Sequence, residues 1–338
     1  MTSAELAQAR LDALAARLEP RLRAAFLAAV AALGAADAAE LVRRLTSGSP
    51  EEVAGWLMAQ PAVTAALAAV RGLYAEGVVR LAASEAASLS ATLRIRVAAP
   101  VVSPPLIEAV RRWENGAFAR VKLDVQGGLR DIVAEELTRG VGPRQVAVRL
   151  KAGVAGGGLT PYDLKIIRSF RAALEEGRFR DALGRTLRDL RSDRTLERLL
   201  RDGGTLTPAQ IEKMVQAYQR KLAAWRAETF ARTNAIQAVN EATKASWRAA
   251  IEQGTVPATE LRQFWVVARD ERLCPICAPV PDLNRDGIEL DGEFITPLGA
   301  VPSPPLHPNC RCVTFIRHVR PGVRQRPAPG QDVLLLPA

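Results

Sequence analysis

All four cysteines of this 338-residue chain, and one of its two histidines, lie between residues 274 and 312. Cys274-Pro-Ile-Cys277 comes first, and His307, Cys310 and Cys312 follow closely spaced at the other end of this window. A tetrahedral Zn²⁺ ion takes thiolate and imidazole ligands, and a Cys-x-x-Cys turn supplies two of them from one tight loop. The sequence therefore predicts a small C-terminal domain that is held together by a structural zinc ion.

Five candidate ligands are present for four coordination positions. One possible ligand set is Cys274, Cys277, His307 and Cys310. The other is the four cysteines, with His307 beside the ligands but not bound to the ion. A Cys-x-Cys pair such as Cys310 and Cys312 can ligate through both thiols, so the two sets stay open. Thiols that pair with each other or remain free are the alternative. A catalytic zinc is disfavoured, because no nearby carboxylate–histidine pattern supplies an open position and a base.

The overall charge of the chain is strongly positive, with a formal net charge of +10 and a pI of about 10.1. This balance favours polyanionic partners, either nucleic acid or an acidic protein surface. The alternative is that arginine simply replaces lysine in a GC-rich coding sequence. We expect no membrane partner and no small-molecule substrate, since no signal peptide and no apolar run of roughly 20 residues is evident. Synthesis in a reducing cytoplasm would keep the thiols available to a metal.

Helical periodicity and capping signals dominate the chain and predict a mainly α protein. Near the C-terminus, Gln263–Val267 is short, aromatic and β-branched, which predicts a strand. Ser49-Pro50, Thr160-Pro161 and Thr207-Pro208 each combine a capping residue with a proline at the first helical position. We expect helices over 4–34, from 50 to before Pro61, 62–90, 106–139 with a break at Gly127-Gly128, 143–150, and after each of the two Thr-Pro pairs.

Composition shifts divide the chain into consecutive segments. Residues 1–98 are predicted to form an N-terminal helical domain, and 99–105 a proline-rich linker. A middle helical domain follows over 106–253, and then a small α+β metal-knotted domain over 254–320. Residues 321–338 are expected to form an extended tail, whose apolar end at 333–336 can dock on a partner.

A second constellation lies between the two halves of the zinc motif. Asp282, Asn284, Asp286 and Glu293, with Gly287 between them, match the spacing of a calcium-binding loop. Against calcium, no helices are expected on either side, and Glu289 stands where an apolar residue is usual. A solvated acidic turn is therefore the alternative.

Two arginine-rich stretches are candidate contacts for nucleic acid or for an acidic partner. In the first stretch, Lys165–Arg201, several arginines are three residues apart, and this spacing can place them along one side of a helix. Asp189, Asp193 and Glu197 interleave with them, so a salt-bridged, solvated helix is the alternative. The second stretch, from Arg311 to Arg326, contains no acidic residue. The candidate contact residues are Arg185, Arg188, Arg191, Arg317, Arg320, Arg324 and Arg326.

Enzyme signatures are not evident in the sequence, and we expect a protein that is not an enzyme. There is no phosphate-binding loop, no nucleophile elbow and no metalloprotease helix, and two histidines leave little material for a catalytic triad. A nuclease of the His-Asn-His type also uses Cys-x-x-Cys zinc halves. Such a nuclease would need a histidine between the two halves of the zinc motif, and residues 278–306 contain none.

Phe264–Cys277, followed by Pro305-Leu-His-Pro-Asn-Cys-Arg-Cys312, resembles the C-terminal signature of phage head morphogenesis proteins, the phage Mu protein F-like minor head proteins. Upstream, residues 231–240 resemble the helix that precedes this signature. The resemblance covers roughly residues 205–318. The acidic residue usual in the family after Arg-Thr is Asn234 here, so a role for that side chain does not carry over.

The resemblance implies a minor capsid protein of a tailed phage or phage-like particle. Such a protein would lie in the head interior or at the portal vertex of the virion, and in the host cytoplasm during assembly. Its expected partners are the portal protein, the major capsid or scaffold protein, and DNA during packaging or delivery. A zinc-containing DNA-processing enzyme and a free-standing DNA-binding protein are the alternatives.

Overall fold

The computed structural model describes residues 3–93, 103–151, 160–268, 270 and 273–319. These residues form a mainly α protein with a small C-terminal α+β region, which confirms the predicted fold class. The α-helices are α1 (Ser3–Ala32), α2 (Ala38–Ser47), α3 (Pro50–Met58), α4 (Pro61–Leu93), α5 (Pro104–Trp113), α6 (Ala119–Thr138), α7 (Pro143–Lys151), α8 (Pro161–Glu175), α9 (Phe179–Leu183), α10 (Asp193–Asp202), α11 (Pro208–Glu252) and α12 (Val280–Leu283). The strands are β1 (Leu261–Val266), β2 (Phe294–Thr296), β3 (Gly299–Val301) and β4 (Val313–His318).

Two compact units make up the chain, and each combines segments that are distant in sequence. The predicted domains were consecutive, whereas these units alternate along the chain. Of the predicted linker, residues 103–105 are described, and Pro104 and Pro105 already open α5 because proline is tolerated in the first helical turn. The predicted tail, 321–338, lies outside the described residues. Unit 1 comprises Met1–Arg23, Arg71–Glu114 and Thr229–Ala338, and unit 2 comprises Ala24–Val70 and Asn115–Glu228.

Unit 2 is a helical assembly around one aliphatic core. Its helices are amphipathic, and their apolar faces meet in a single cluster that α2, α3, α6, α7 and α8 share with the first part of α11. Fully buried members include Leu41, Val53, Val133, Val146 and Val215. Burial of such side chains stabilises a fold by roughly 1.5–3 kcal/mol each, so this cluster dominates the stability of unit 2.

The capping signals in the sequence correctly predict where three helices begin. Ser49 and Glu52 form a reciprocal capping box at α3. Thr160 does the same with Asp163 at α8, and Thr207 with Gln210 at α11. Each box satisfies backbone N–H groups that the first turn of a helix leaves without a partner.

The predicted break at Gly127-Gly128 is wrong, because α6 runs through both glycines from Ala119 to Thr138. Both glycines lie in the interior of this helix. A Cβ on Gly127 would lie 3.5 Å from Cγ of Pro161, and Gly128 is buried. The helical stretch is interrupted earlier instead, by a π-helical segment at Glu114–Phe118 that separates α5 from α6.

Unit 1 contains α5, α12, most of α1 and α4, the second part of α11 and the four strands of the described residues. A Cβ on Gly77 of α4 would lie only 2.7 Å from a methyl group of Leu18, so glycine permits the close approach of α4 to α1. The hydroxyl of Ser246 on α11 donates a hydrogen bond to the carbonyl of Ala82 on α4 (3.0 Å). Residues from α4, α11 and the sheet, including Leu89, Trp247 and Leu261, form one buried cluster.

Two small antiparallel sheets lie in the C-terminal part of unit 1. The predicted strand is confirmed as β1, which pairs with β4 from Leu261↔His318 to Val266↔Val313. The second sheet is a hairpin of β2 and β3, in the register Phe294↔Val301 to Thr296↔Gly299. Pairing of β1 with β4 brings the segment before Cys274 next to the segment after Cys312, so it closes the metal-binding motif.

Helix α4 is long and apolar enough to cross a membrane, since residues 61–91 reach a mean hydropathy of 1.4 with 28% of the most apolar window buried. The pair Gln8–Ala35 and Ala38–Ser47 meets the criterion only together, across a bend of 76°. The expectation that no apolar segment is long enough to span a membrane is therefore wrong for α4. This helix contains few charged residues, and most of the residues between them are alanine or other apolar residues. Core helices of globular proteins meet the same criterion, and α4 buries Tyr74 and Val78 completely.

Candidate metal centre

The first half of the centre is a tight turn made by Cys274-Pro-Ile-Cys277. The N–H of Cys277 (3.1 Å) and that of Ala278 (2.9 Å) both donate to the carbonyl of Cys274. These bonds direct the two thiols to one side of the turn, and α12 begins three residues after Cys277. The local sequence thus forms the compact loop that its spacing predicts.

The second half precedes β4 and is also a turn. The N–H of Cys310 donates to the carbonyl of His307 (3.1 Å), and Asn309 between them has a positive φ of 61°. Asparagine adopts this left-handed conformation more readily than most residues. Cys312 then leads directly into Val313, the first residue of β4.

All five predicted ligands come together in two overlapping groups. One group contains Cys274, Cys277 and His307, and the other contains Cys277, Cys310 and Cys312. Within each group the candidate ligand atoms lie within 4.8 Å of one another. The Sγ atoms of Cys277 and Cys310 are 3.9 Å apart, close to the ligand–ligand separation of about 3.8 Å for a Zn–S bond of about 2.3 Å. A single ion beside Cys277 can therefore reach both groups.

His307 is oriented as a metal-binding imidazole would be. Its Nδ1 lies 2.8 Å from the carbonyl oxygen of Pro308, which can only accept, so Nδ1 carries the proton. The Nε2 atom then presents its lone pair toward Sγ of Cys277, 3.1 Å away. Ligating histidines commonly donate their other N–H to a carbonyl in this way. The arrangement is compatible with His307 as a direct ligand, and the choice of four from five candidates stays open.

The electrostatics of the group favour the thiolate, the form that binds metals, at Cys277 and Cys310. A hydrogen bond from Cys312 is the main reason that the pKa of Cys310 falls to about 5, and it also lowers the pKa of Cys277. Hydrogen bonding to these two sulfurs, with burial, raises the pKa of Cys312. Burial lowers the pKa of His307, but its contacts with Pro308 and Cys277 outweigh burial and raise it.

A small apolar cluster surrounds the thiols. Cys277, Cys310 and Cys312 are buried, whereas Cys274 is half-buried. The buried side chains around them are Trp265, which packs edge-on against Phe294 with ring centroids 5.3 Å apart, and Val280. Half of the six buried members of this cluster are therefore cysteines.

Helix α11 holds the second half of the motif through side chains that the sequence did not single out as site residues. The backbone N–H of Asn309 donates to the hydroxyl of Thr233, and the side-chain amide of Asn309 donates to the hydroxyl of Thr229 (both 3.0 Å). Asn240 accepts from the N–H of Thr314 (2.6 Å), and the ammonium group of Lys244 donates to the carbonyl of Pro302 (2.5 Å). We call these four residues of α11 and their bonds the α11 clamp, namely Thr229, Thr233, Asn240 and Lys244.

An ion pair closes the outer side of the centre. The guanidinium of Arg311 donates to both carboxylate oxygens of Asp270, at 2.5 and 2.6 Å. The carbonyl of Arg311 in turn accepts from the side-chain amide of Gln8 on α1 (3.0 Å). The pair fixes the residue between Cys310 and Cys312, which orients both thiols.

Comparison with known proteins identifies the part of the chain that carries this centre. Residues 165–315 match the family model of phage Mu protein F like proteins, and both halves of the motif lie inside the match. This region is therefore similar to phage Mu protein F like proteins. A search of curated proteins and a search of solved structures gave no match. Below, residues 165–315 are called the F-like region; the match supports a relation of this region to phage head morphogenesis proteins.

Asn234, at the position where the resemblance leads us to expect an acidic residue, has a structural role here. Its side-chain oxygen accepts from the indole N–H of Trp113 (2.5 Å), and its amide donates to the carbonyl of Phe230 (2.6 Å). Trp113 stacks on Tyr74 with ring centroids 3.9 Å apart. The substitution therefore supports a buried aromatic pair with an uncharged acceptor.

The acidic loop of the F-like region is arranged around Asn284, which is buried. Its amide donates to the carbonyls of Val280 (2.8 Å) and Ile295 (2.9 Å), and its oxygen accepts from the N–H of Ile295 (2.9 Å). Asp282, Asp286 and Glu293 are exposed, and these acids form no ligand group of three within the described residues. Gly287 has φ +70°, and a Cβ there would lie 2.8 Å from the ring of Phe264. Calcium binding by Asp282, Asn284, Asp286 and Glu293 stays a prediction.

The first arginine-rich stretch does not form the continuous helix that its spacing suggested. Turns and a short 3₁₀ segment, Leu190–Ser192, separate α9 from α10, because Gly184 and the Asp189 cap end the helical pattern. Arg188 pairs with Asp193 (2.9 Å). Arg191 pairs with Asp189 (2.7 Å), and its hydrogen bonds lower the pKa of Asp189 to about 2.

The remaining predicted contact residues are placed separately. Arg185 donates to the hydroxyl of Ser169 (2.7 Å). Arg317, on β4, lies over the ring of Phe264 with 5.2 Å between guanidinium carbon and ring centroid. Arg320, Arg324 and Arg326 lie outside the described residues. Contact of these arginines with nucleic acid or an acidic partner stays a prediction.

Proposed function

We propose that this protein is a minor capsid protein of a tailed phage or phage-like particle, associated with the portal and the head interior. The observation that carries the proposal is the coincidence of the family match with the metal centre. All five candidate ligands lie inside residues 165–315. A protein of this kind acts through binding and is not an enzyme.

The ion in the centre is zinc, bound by four of Cys274, Cys277, His307, Cys310 and Cys312. Thiolate and imidazole donors suit Zn²⁺, whereas Ca²⁺ and Mg²⁺ require oxygen ligands. The role of zinc is structural. The strands around the site are three to six residues long and the local apolar cluster is small, so cross-linking by a metal stabilises a domain that its core alone supports weakly.

The partners are the portal protein and the major capsid or scaffold protein, with DNA as a further contact during packaging or delivery. The net charge of +10 supports attraction to packaged DNA. Arg317 and the tail arginines Arg320, Arg324 and Arg326 are the residues for this contact, since the acidic neighbours of Arg188 and Arg191 already neutralise them. The protein resides in the virion, inside the capsid or at the portal vertex.

The test is to purify heads from induced or infected cells and to measure this protein in them by quantitative mass spectrometry. In parallel, tagged protein is used to capture the portal protein from the same cells. Wild-type protein should be found in heads and should capture the portal protein, and Cys277→Ser should reduce both. Absence from purified heads, together with no capture of portal or capsid protein, would overturn the proposal.

A further inference from the structure

We propose that the hairpin of β2 and β3 docks an extended, basic and aliphatic segment of a partner protein along the open edge of β3. The inference goes beyond the proposed function, because it specifies a surface and the chemistry of its ligand for any assembly that contains this protein. Three independent features of the hairpin carry it, namely its backbone edge, its exposed side chains and its charge.

Among the residues that the structure describes, the backbone of the hairpin is bonded on one edge and open on the other. On the β2 side, the side-chain amide of Asn284 hydrogen-bonds to both backbone groups of Ile295: it accepts from the N–H and donates to the carbonyl. These groups therefore point away from β3, and Ile295↔Ala300 is a pair without mutual hydrogen bonds. By the alternation of antiparallel ladders, the N–H and carbonyl of Ala300 also point outward, on the opposite edge. Such an edge is a template for one more strand.

Aliphatic side chains that proteins usually bury are exposed at this hairpin. Ile295 is 61% exposed and Leu298, in the turn, is 60% exposed. An added strand would cover apolar surface as well as the backbone edge, and burial of apolar area is the dominant favourable term in association.

The charge of this surface selects the kind of segment. Residues 280–301 contain five acidic residues and a single basic one, in a chain whose net charge is +10. All five acidic residues, Asp282, Asp286, Glu289, Asp291 and Glu293, are exposed, and Asp291 also pairs with Arg248 (2.5 Å). The backbone of an extended segment would pair with the edge of β3, its aliphatic side chains would cover the apolar surface, and its basic side chains would face the acidic residues. We therefore assign the occupant as a segment that alternates basic and aliphatic side chains.

The experiment measures binding of a fluorescent eight-residue peptide that alternates lysine or arginine with valine, by anisotropy, to the zinc-loaded full chain. A peptide with glutamate in place of the basic residues is the charge control. Ala300→Pro removes the outward N–H without touching the hairpin bonds, since proline is tolerated at an edge. Ile295→Asp removes the apolar contact while adding a charge that attracts the peptide. Tyr162→Asp, at a 70% exposed residue of unit 2, is the matched surface control.

The basic peptide should bind, more weakly at high salt, and the acidic peptide should not. Ala300→Pro and Ile295→Asp should each weaken binding about tenfold, and Tyr162→Asp should leave it unchanged. Unchanged zinc content and circular dichroism show that the variants remain folded. Equal affinity in all variants, or equal binding of both peptides, would overturn the proposal. Tighter binding after Arg320, Arg324 and Arg326 are changed to glutamate would overturn the partner assignment in favour of the chain's own tail.

Discussion

Asn240 shows how a single buried side chain connects helix α11 to the metal-binding motif. It is fully buried, its oxygen accepts from the N–H of Thr314, and its amide donates to the carbonyls of Ile236 and Pro304. Thr314 follows Cys312 by two residues. The position of the second half of the motif therefore depends on an amide that lies far away in the sequence.

Asn240→Leu should lower the free energy of unfolding by about 1–3 kcal/mol, because the N–H of Thr314 would be buried without a partner. The measurement is urea denaturation followed by circular dichroism. Gln237→Leu, on the same helix at a half-buried position, is the control and should have a smaller effect. Equal effects of the two substitutions would contradict the role given to Asn240.

Cys277 belongs to both ligand groups, whereas Cys274 belongs to one and is half-buried. We therefore expect Cys277→Ser to lose its zinc under conditions in which Cys274→Ser retains part of it. Elemental analysis of both purified variants, beside the wild type with about one zinc per chain, measures the difference. A wild type without zinc would contradict the metal assignment itself, and similar zinc content in Cys277→Ser and wild type would contradict the central place of Cys277.

Lys244 makes the stability of the protein depend on pH. Burial lowers the pKa of its ammonium group to about 8 in the folded chain, from an ordinary value of 10.5. Between these values the unfolded chain binds more protons than the folded one, so the free energy of unfolding should rise with pH across this window. The rise is at most about 1.4 kcal/mol per pH unit.

In Lys244→Met this contribution to the pH dependence should disappear. Urea denaturation of wild type and variant at pH 8 and pH 9.5 gives the free energy of unfolding of each protein. As pH rises, this free energy should increase more for the wild type than for the variant. A difference that is constant over this range would show that Lys244 keeps its ordinary titration in the folded state.

The candidate ligands could be predicted from the sequence because their spacing is local. Cys274 and Cys277 share one turn, and His307 and Cys310 share another. The α11 clamp could not be predicted in this way. Thr233 and Lys244 are ordinary polar residues of a helix, and only the tertiary structure brings the Asn309 N–H and the Pro302 carbonyl to them.

At the scale of elements, helix starts were predictable because a cap is encoded within four consecutive residues. The boxes at Thr160 and Thr207 share the same design but differ in burial. Asp163, in the first, is buried and also pairs with Arg226 (3.2 Å), whereas the box at Thr207 is exposed. The same motif should therefore contribute unequally to stability.

Thr160→Ala should destabilise unit 2 by about 1–2 kcal/mol, because it removes both the cap and one hydrogen bond to the buried carboxylate of Asp163. Thr207→Ala should cost less, about 0.5–1 kcal/mol. Thermal or urea unfolding of both variants measures the contrast. A larger loss in Thr207→Ala would contradict this ranking.

Elements that depend on packing were predicted less well. Gly127 and Gly128 are helix-breaking by propensity, yet α6 continues through both, with Gly127 beside Pro161 and Gly128 buried. The arginines from 185 to 191 have helical spacing, yet this segment forms turns, which ion pairs such as that of Arg188 with Asp193 stabilise. In both places tertiary contacts override the local preference of the sequence.

At the scale of the whole molecule, the two units have separate buried clusters, and the metal centre lies in unit 1. Removal of zinc with a strong chelator should therefore accelerate amide hydrogen exchange in β1, β4 and the segment from Cys274 to Leu283. Exchange in α6 and α8 of unit 2 should change little, because their protection rests on an aliphatic core.

Hydrogen-exchange mass spectrometry on the full chain, with and without chelator, resolves these regions. Zinc added back in excess is the control and should restore the slow exchange. Protection that is unchanged between residues 261 and 318 would contradict a structural metal, and equal acceleration in both units would contradict their separate stabilisation.

The composition of unit 1 from separated segments has a consequence for the time at which it can form. Residues 3–23 leave the ribosome early, but the segment that completes unit 1 begins only at Thr229. At a synthesis rate of about 5–20 residues per second, roughly 15–60 s separate the synthesis of Arg23 from that of His318, the last residue of β4. Unit 2 requires nothing beyond Glu228 and can fold during that interval. The nascent chain therefore has a defined period in which its first helix is exposed to chaperones and to neighbouring chains.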